Sequence, residues 1–214
     1  MSNKNKISVL AVIAALFIGL FIFFDIGSNW DYVLPRRVTK IIVIVLAGAA
    51  IAYSTLVFQT VTNNRILTPS ILGLDSLYLL IQTVVVFVFG SASVVMMQAQ
   101  VNFLISLVLM IVFSSLLFKV LFKREGQNIY FLLLIGLIFG TLFESFSSFM
   151  QVLIDPNEFL IVQDRMFASL NNVNTDILWI SLILMAGAIL YSMKFFKYLD
   201  VMAMGREHAI NLGV

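Results

Sequence analysis

The stretch from Ile7 to Phe24 decides the class of fold, and it reads ISVLAVIAALFIGLFIFF. It carries no charged residue, and its length falls within the roughly 17–25 apolar residues that a membrane-spanning helix needs. The rest of the chain is similar, since 61% of its 214 residues are hydrophobic and only 11% are charged. Soluble domains are about 45–50% apolar and about 25% charged. The sequence therefore predicts an all-α protein embedded in a lipid membrane.

Further apolar segments follow the first, separated by polar breaks. Together they predict about six membrane-spanning helices in one domain over residues 1–214, at 7–24, 41–58, 71–89, 101–122, 131–154 and 177–193. The longest polar segments, 25–40, 155–176 and the tail from Lys194, are too short for a soluble domain. No small-x-small cleavage site follows Phe24, so we expect the first segment to be retained as a span.

The basic residues predict the orientation of the chain. Lys and Arg in short loops are retained on the cytoplasmic side of a membrane. With the N terminus inside, nine of the 13 basic residues fall on the cytoplasmic face, and the other four lie outside. We therefore expect a multi-pass protein of the bacterial plasma membrane with both termini in the cytoplasm.

The composition also excludes several classes of function. The chain has no Cys and only one His, His208, which excludes a disulfide framework, a thiolate nucleophile and a Cys/His zinc site. We expect neither a metal site nor a cofactor. No Gly-rich loop ends in Lys-Ser or Lys-Thr, so any ATP would be hydrolysed by another chain. The net charge of +2, spread among apolar blocks, does not favour a nucleic-acid partner.

The fifth apolar segment carries a polar face. Small and polar residues recur there at spacings of three and four, which places them on one side of a helix: Gly136, Gly140, Thr141, Glu144, Ser145, Ser148 and Gln151. An ionised carboxylate in lipid costs about 2.5–3.5 kcal/mol on insertion scales, so we expect Glu144 to point inward, to a partner or a water-filled cavity. One interpretation is that this helix lines a polar translocation path. The other is that Gly136, Gly140 and the serines pack against a neighbouring helix.

Two polar breaks carry further signals. Thr68 before Pro69 is typical of a helix start, with a capping hydroxyl and a proline at the first helical position, and Asp75 follows early in that helix. Arg36 and Arg37 follow Pro35 just before the second span. They either snorkel toward water and headgroups or offer bidentate contacts to the carboxylates of a partner.

Four motifs resemble the FecCD-type permease family. The second and third spans carry Gly48-Ala49-Ala50-Ile51-Ala52, Ser54, Gln59, Asn64, Pro69, Leu72 and Gly73, similar to the pattern G-A-A-L-A, S, Q and N-P-L-A-x-P-x-x-L-G. Arg65 and Leu67 replace the first proline and the alanine of that loop. Val33-Leu34-Pro35-Arg36 is similar to R-L-P-R, and Ala168-Ser169-Leu170 to G-S-L. The tail from Gly205 to Val214 is similar to G-x-E-x-A-x-x-L-G-V.

The resemblance implies a membrane subunit of an ATP-binding-cassette (ABC) importer for iron-siderophores, haem or vitamin B12. The loop at 62–69 is most similar to permeases for catecholate siderophores. The implied partners are ABC ATPase subunits, a second permease subunit, an extracytoplasmic substrate-binding lipoprotein, the iron-siderophore and the lipid membrane. Members of the family continue to about ten membrane helices by fold analogy, so we expect the chain to be incomplete at its C terminus.

The resemblance also implies roles for particular residues. Arg36, with Arg37 in place of the arginine that Val33 replaces, would contact glutamates of the binding protein. Residues 194–214 would form a cytoplasmic coupling segment that docks on the ATPase through Gly205, Glu207, Ala209, Leu212 and Gly213. The substrate path is predicted from the polar face of the fifth segment instead, and would use Thr141, Glu144, Ser145, Ser148 and Gln151. The alternative interpretation is an ion- or proton-coupled secondary transporter, with Glu144 and Asp75 as the coupling carboxylates.

Overall fold

The computed structural model describes residues 3–25, 27, 29–90, 93, 98–121, 129–166 and 173–213. Within these residues every regular element is helical, which confirms the predicted all-α class. Five of the helices are long and apolar enough to cross a membrane. The chain is a polytopic membrane protein.

The described residues form nine α-helices and two short 3-10 helices. The α-helices are α1 (Asn3–Phe23), α2 (Trp30–Val61), α3 (Leu74–Phe89), α4 (Ala99–Leu121), α5 (Ile129–Leu153), α6 (Pro156–Met166), α7 (Thr175–Ser192), α8 (Phe196–Ala203) and α9 (Arg206–Asn211). The 3-10 helices are Pro69–Leu72, before α3, and Met193–Phe195, between α7 and α8. The six predicted spans correspond to α1, α2, α3, α4, α5 and α7, of which α3 is only 16 residues long.

The second helix begins earlier than its hydropathy predicts. Residues 25–40 read as a polar break, whereas α2 begins at Trp30 and therefore contains Pro35, Arg36 and Arg37. The backbone N–H of Val33 donates to the carbonyl of Asn29 at 3.1 Å, which closes the first turn. The backbone hydrogen bonds of a helix lie within the helix and do not require apolar side chains, so α2 can begin before the apolar part that hydropathy detects.

The third span is divided in two, which corrects the prediction of one helix from residue 71. Pro69 begins a 3-10 helix, and Gly73 then adopts a left-handed conformation, with φ of +74°, before α3 begins. The predicted capping bond from the Thr68 hydroxyl is absent from this described segment. The Thr68 carbonyl instead accepts the N–H of Ile71 at 3.1 Å. Asp75 lies in the first turn of α3 as predicted, where a negative charge interacts favourably with the positive end of the helix dipole.

A surface helix, α6, occupies part of the polar break at 155–176. The Asp155 carboxylate accepts the N–H of Asn157 at 2.9 Å, and Pro156 stands at the first helical position. Both are recognised start signals. The side chain of Val162 on this helix is fully buried, and it packs with Leu77 and Ile154. The amphipathic helix α6 therefore covers one end of α3.

The buried part of the molecule is centred on α3. This helix packs against α4, α5 and α6, and its buried side chains include Leu77, Ile81, Val85 and Val86. A second cluster joins the end of α2 to the chain before α3 and to α4, through Phe58, Leu67, Leu72 and Leu117. By contrast, the spans α1 and α7 bury almost nothing. Their apolar side chains are exposed in this chain, which suits contact with lipid or with other membrane helices.

Candidate functional site

A close backbone contact joins α5 to the chain just before α3. A Cβ atom placed on Gly73 would lie 2.4 Å from the Cα atom of Gly140, and one placed on Gly136 would lie 2.8 Å from the carbonyl oxygen of Ile71. Neither position has room for a side chain. Gly136 and Gly140 therefore pack against a neighbouring element, in the way that small residues let membrane helices approach. We call this contact the glycine junction.

The predicted polar face of α5 is divided between two environments. Gly136 and Gly140 face the 3-10 helix and Gly73. The side chains of Thr141, Glu144, Ser145 and Ser148 are exposed instead. The seven residues spread over about half the circumference of the helix at 100° per residue, so one neighbour cannot cover them all.

A buried network of hydroxyl and amide groups connects α5 to α3. The Thr83 hydroxyl lies 2.8 Å from the Ser147 hydroxyl, and both side chains are buried. The amide of Gln151 donates to Ser147 at 2.9 Å and to Thr83 at 3.3 Å. Gln151, predicted to line the path, therefore donates both within α5 and across to α3. The network places hydrogen bonds where lipid and water are both excluded.

A second polar contact links α3 to α4. The side-chain amide of Gln82 donates to the hydroxyl of Ser106 at 2.7 Å, and both residues are buried. The Gln82 carbonyl oxygen has no partner in the described part of the chain. The two polar contacts together fix the rotation of α3 against both of its long neighbours.

We expect the replacement of Thr83 by valine to destabilise the protein by about 0.6 kcal/mol, and by at most about 1.7 kcal/mol, the range measured for hydrogen bonds between membrane helices. Valine preserves the shape of the side chain but removes the partner of Ser147 and Gln151. Unfolding in mixed micelles with increasing SDS measures the change. Thr141→Val is the matched control, because the hydroxyl of Thr141 is exposed and donates within its own helix to the Leu137 carbonyl at 2.8 Å. Equal midpoints for the two variants would contradict the role of the network.

The exposed half of the polar face borders a shallow groove. Its volume is about 400 Å³, and its lining residues are Leu137, Ile138, Thr141, Leu142, Ser145 and Phe146. The Glu144 side chain is exposed in this chain rather than packed against a neighbouring helix, and the expectation that it faces a partner or a water-filled cavity stays a prediction. No hydrogen-bond partner of its carboxylate is found among the described residues. The role of Thr141, Glu144, Ser145, Ser148 and Gln151 in a path stays a prediction.

Arg37 holds the end of α1. Its guanidinium group donates to four carbonyl oxygens, those of Phe21 at 2.9 Å, Ile22 at 3.2 Å, Phe24 at 2.5 Å and Asp25 at 3.2 Å. The last carbonyls of a helix lack partners within the helix and carry its negative dipole end, so a cation stabilises them. The donor groups of Arg37 are therefore used inside the chain.

Arg36 is placed differently from its neighbour. Its side chain is exposed, and its Cζ atom lies 4.1 Å from the centre of the Tyr32 ring. This cation–π contact orients the guanidinium group without using its N–H donors. Of the two arginines, Arg36 is the more exposed, and it presents its donors to the outside at the start of α2. Contact with a binding protein stays a prediction for both.

The tail folds into the two short helices α8 and α9. Gly205 separates them with φ of +107°, a conformation that L side chains rarely adopt, and α9 folds back on α8. Ala209 is buried and Leu212 is exposed, while Gly213 has φ of +77°. The side chain of Glu207 lies outside the described residues, as do Val214 and the Ala168-Ser169-Leu170 motif. Contact of this segment with an ATPase stays a prediction.

The family model for the FecCD transport family matches residues 1–214, the full length of the chain. The chain belongs to the FecCD transport family. It is 61% identical over 214 residues to the petrobactin import system permease protein YclO of Bacillus subtilis (strain 168), covering 100% of this chain and 68% of that protein. It is 35% identical over 184 residues to the petrobactin import system permease protein FatC of Bacillus anthracis, covering 85% and 51%. The resemblance predicted from the motifs is confirmed.

A more distant relative is named for a different class of siderophore. The chain is 25% identical over 197 residues to the iron(3+)-hydroxamate import system permease protein FhuG of Bacillus subtilis (strain 168), covering 91% of this chain and 59% of that protein. This FecCD chain thus spans about half to two thirds of the length of these relatives. No solved structure matches it at a significant level.

The residues of the buried network other than Gln151 were not predicted from the sequence. Ser147 follows Gly140 by seven residues, so it lies on the same stripe of α5 as the two glycines. Gln82 and Thr83 are polar residues inside an otherwise apolar segment, which is a usable signal because such groups need partners in a membrane. Their partners could not be read from the sequence, since the spacing within one helix says nothing about which neighbour it meets.

Proposed function

We propose that this chain is a permease subunit of an ABC importer that takes up iron bound to a catecholate siderophore. The observation that carries the proposal is the 61% identity, over all 214 residues, to a protein named as a petrobactin import permease. The 35% identity to a second petrobactin import permease supports the same substrate class. The permease itself performs no bond chemistry, and ATP is hydrolysed on separate ATPase subunits.

The exposed half of α5 suits a translocation surface. Thr141 and Ser145 border its groove together with apolar side chains. Hydroxyl groups bind weakly, and a transported molecule must leave the path after it has entered. We propose that this face of α5 turns toward a second permease subunit and that the two subunits enclose the substrate path between them.

The two ends of α2 suit contacts with different partners. In the predicted orientation, the exposed Arg36 near the start of α2 lies outside the cell, where it would pair with a carboxylate of the siderophore-binding lipoprotein. The opposite end of α2 packs against α8 of the coupling segment, residues 194–214. There the ATPase subunits would dock and drive a change in which side of the path is open.

The test is uptake of radioactive iron by cells in which the gene has been deleted and then restored. Iron is supplied as ferric petrobactin and, in a separate assay, as a ferric hydroxamate siderophore. We expect the deletion to abolish petrobactin-dependent uptake alone and restoration to recover it. Restoration with a catalytically inactive ATPase subunit should leave uptake at the level of the deletion. Uptake that survives the inactive ATPase but stops with a proton uncoupler would overturn the proposal in favour of a secondary transporter.

Replacement of Arg36 by glutamate should weaken the docking of the binding protein about tenfold, because it places like charges opposite each other at the rim of the interface. Docking is measured by titrating the labelled binding protein onto the reconstituted importer at two salt concentrations. The wild-type affinity should fall as salt rises, and the variant should lose that dependence. Arg65→Glu is the control, since Arg65 is also exposed but lies beyond the opposite end of α2. Unchanged affinity in Arg36→Glu would show that this arginine is not a docking residue.

A further inference from the structure

A hydrogen bond joins α2 to the end of α7, directly before the tail. It connects the phenol hydroxyl of Tyr53 on α2 with the hydroxyl of Ser192, the last residue of α7. The Ser192 hydroxyl donates its proton to the carbonyl of Ile189 at 2.6 Å. Since a serine hydroxyl has only one proton, Tyr53 is the donor in the bond between the two side chains.

The surroundings of this bond are almost wholly apolar. It borders a cavity of about 650 Å³ between α2 and α7, whose lining includes Ala50, Val57 and Ile189. Ser54 is the other hydroxyl-bearing residue of the lining, and it donates within its own helix to the carbonyl of Ile51 at 3.1 Å. In apolar surroundings the two hydroxyl groups have few other partners, so the bond is either formed or broken and is not replaced by another.

The bond lies directly before a change in helix type. After Ser192 the chain passes through the 3-10 helix Met193–Phe195 and continues as α8. A short 3-10 stretch within a longer helix often marks a hinge. α8 packs against α2, the helix that carries Tyr53. The segment beyond the hinge therefore contacts the same helix that Ser192 contacts before it. Helix α2 therefore contacts the chain both before and after the hinge.

We propose that the Tyr53–Ser192 hydrogen bond positions the hinge so that α2 and the coupling segment move together. This inference rests on the proposed function, since it supplies the step by which force from the ATPases reaches the membrane helices. When ATP binding displaces the coupling segment, the bond transmits that displacement to α2 rather than letting the hinge absorb it. Tyr53 and Ser192 are positioning residues in this step, and neither contacts the substrate.

The test uses the complete importer in liposomes, with its binding protein and ATPase subunits. Tyr53→Phe keeps the ring and removes the donor, while Ser192→Ala removes the acceptor. We expect both variants to hydrolyse ATP at nearly the wild-type rate, with the iron-siderophore transported per ATP reduced about three- to tenfold, the effect of losing one intramembrane hydrogen bond on a two-state equilibrium. Ser192→Thr retains a hydroxyl and should preserve the wild-type ratio. Ser54→Ala, in the same cavity lining, is the matched control.

Three results would overturn the inference. One is an unchanged ratio in both Tyr53→Phe and Ser192→Ala, and another is an equal fall in Ser54→Ala, which would assign the effect to packing of the cavity. The third is a fall in Ser192→Thr as large as that in Ser192→Ala. A purely structural role would lower ATP hydrolysis and transport in parallel and leave their ratio constant, which is the first of these three results.

A measurement independent of transport separates this inference from the proposed function. These 214 residues contain no cysteine, so spin labels attach to this part of the importer only at introduced cysteines. Leu56 on α2 and Tyr198 on α8 are exposed and suit Leu56→Cys and Tyr198→Cys. We expect Tyr53→Phe to broaden the distribution of distances between the labels, measured by electron paramagnetic resonance in lipid nanodiscs. If the wild-type importer carries no siderophore but Tyr53→Phe still broadens the distances, the proposed function fails and the role of the Tyr53–Ser192 bond stands. If Tyr53→Phe leaves the distances unchanged, that role is contradicted, whatever the substrate is.

Discussion

Replacement of Gly73 by alanine should destabilise the protein by about 2–5 kcal/mol. A left-handed conformation costs a non-glycine residue about 1–2 kcal/mol, and Gly73 has φ of +74°. The new Cβ atom would also lie 2.4 Å from the Cα atom of Gly140, and because that atom belongs to the backbone, α5 must move away. Overpacking of this kind typically costs about 1–3 kcal/mol more. SDS-induced unfolding in mixed micelles measures the loss.

Two glycines with open space around them provide controls for this substitution. A Cβ atom on Gly187 of α7 or on Gly48 of α2 meets nothing within 4 Å, and both residues have ordinary helical backbone. Gly187→Ala and Gly48→Ala should therefore leave stability unchanged or raise it by up to about 1 kcal/mol, since alanine is the better helix former. If Gly73→Ala unfolded at the same SDS concentration as these controls, the glycine junction would not be the tight contact that its distances indicate.

Replacement of Arg37 by alanine should release the end of α1 from α2. The change removes donors from four carbonyl oxygens, and hydrogen bonds to a charged group contribute about 1.5–3 kcal/mol. Local opening at residues 21–25 should become about 10- to 150-fold more frequent, because each 1.4 kcal/mol is a factor of ten. Amide hydrogen exchange followed by mass spectrometry measures it. α1 buries almost nothing else, so the packing of its side chains cannot compensate.

Two further variants identify the cause of this release. Arg37→Lys preserves the charge but lacks the planar set of donors, so it should restore only part of the protection. Arg36→Ala removes an adjacent arginine that is exposed and stacked on Tyr32, and it should leave exchange at 21–25 unchanged. Protection that is insensitive to Arg37→Ala would contradict the capping role and would leave this arginine available for an external partner.

The apolar spans were predictable because their cause is local. A helix that crosses lipid needs about 20 apolar residues, and this length can be read from the composition of each segment alone. The start of α2 was not predictable in the same way. Pro35, Arg36 and Arg37 read as a break, yet Arg37 is stabilised in the helix by the carbonyl groups of α1, a contact between separate elements.

The break at Gly73 and the division of the polar face of α5 have a related explanation. Periodicity placed Gly136, Gly140 and Glu144 on one side of a helix, but it could not show where the neighbouring chain would pass. That chain covers the two glycines and leaves Glu144 exposed. The start of α6 was not predicted, although Asp155 and Pro156 carry local signals for it, because a capping carboxylate and a proline act within one turn.

The unequal lengths of α2 and α3 have a consequence for the surrounding bilayer. With 32 residues α2 is about 48 Å long, whereas α3, with 16, is about 24 Å, and the hydrocarbon layer is about 30 Å thick. α3 is enclosed by protein and need not match that thickness. α2 exposes apolar residues along its length, and a helix longer than the hydrocarbon layer tilts or projects where such residues meet lipid. Lipids with shorter or longer acyl chains should therefore change the inclination of the helix that carries Arg36 and Tyr53 while leaving the core around α3 intact.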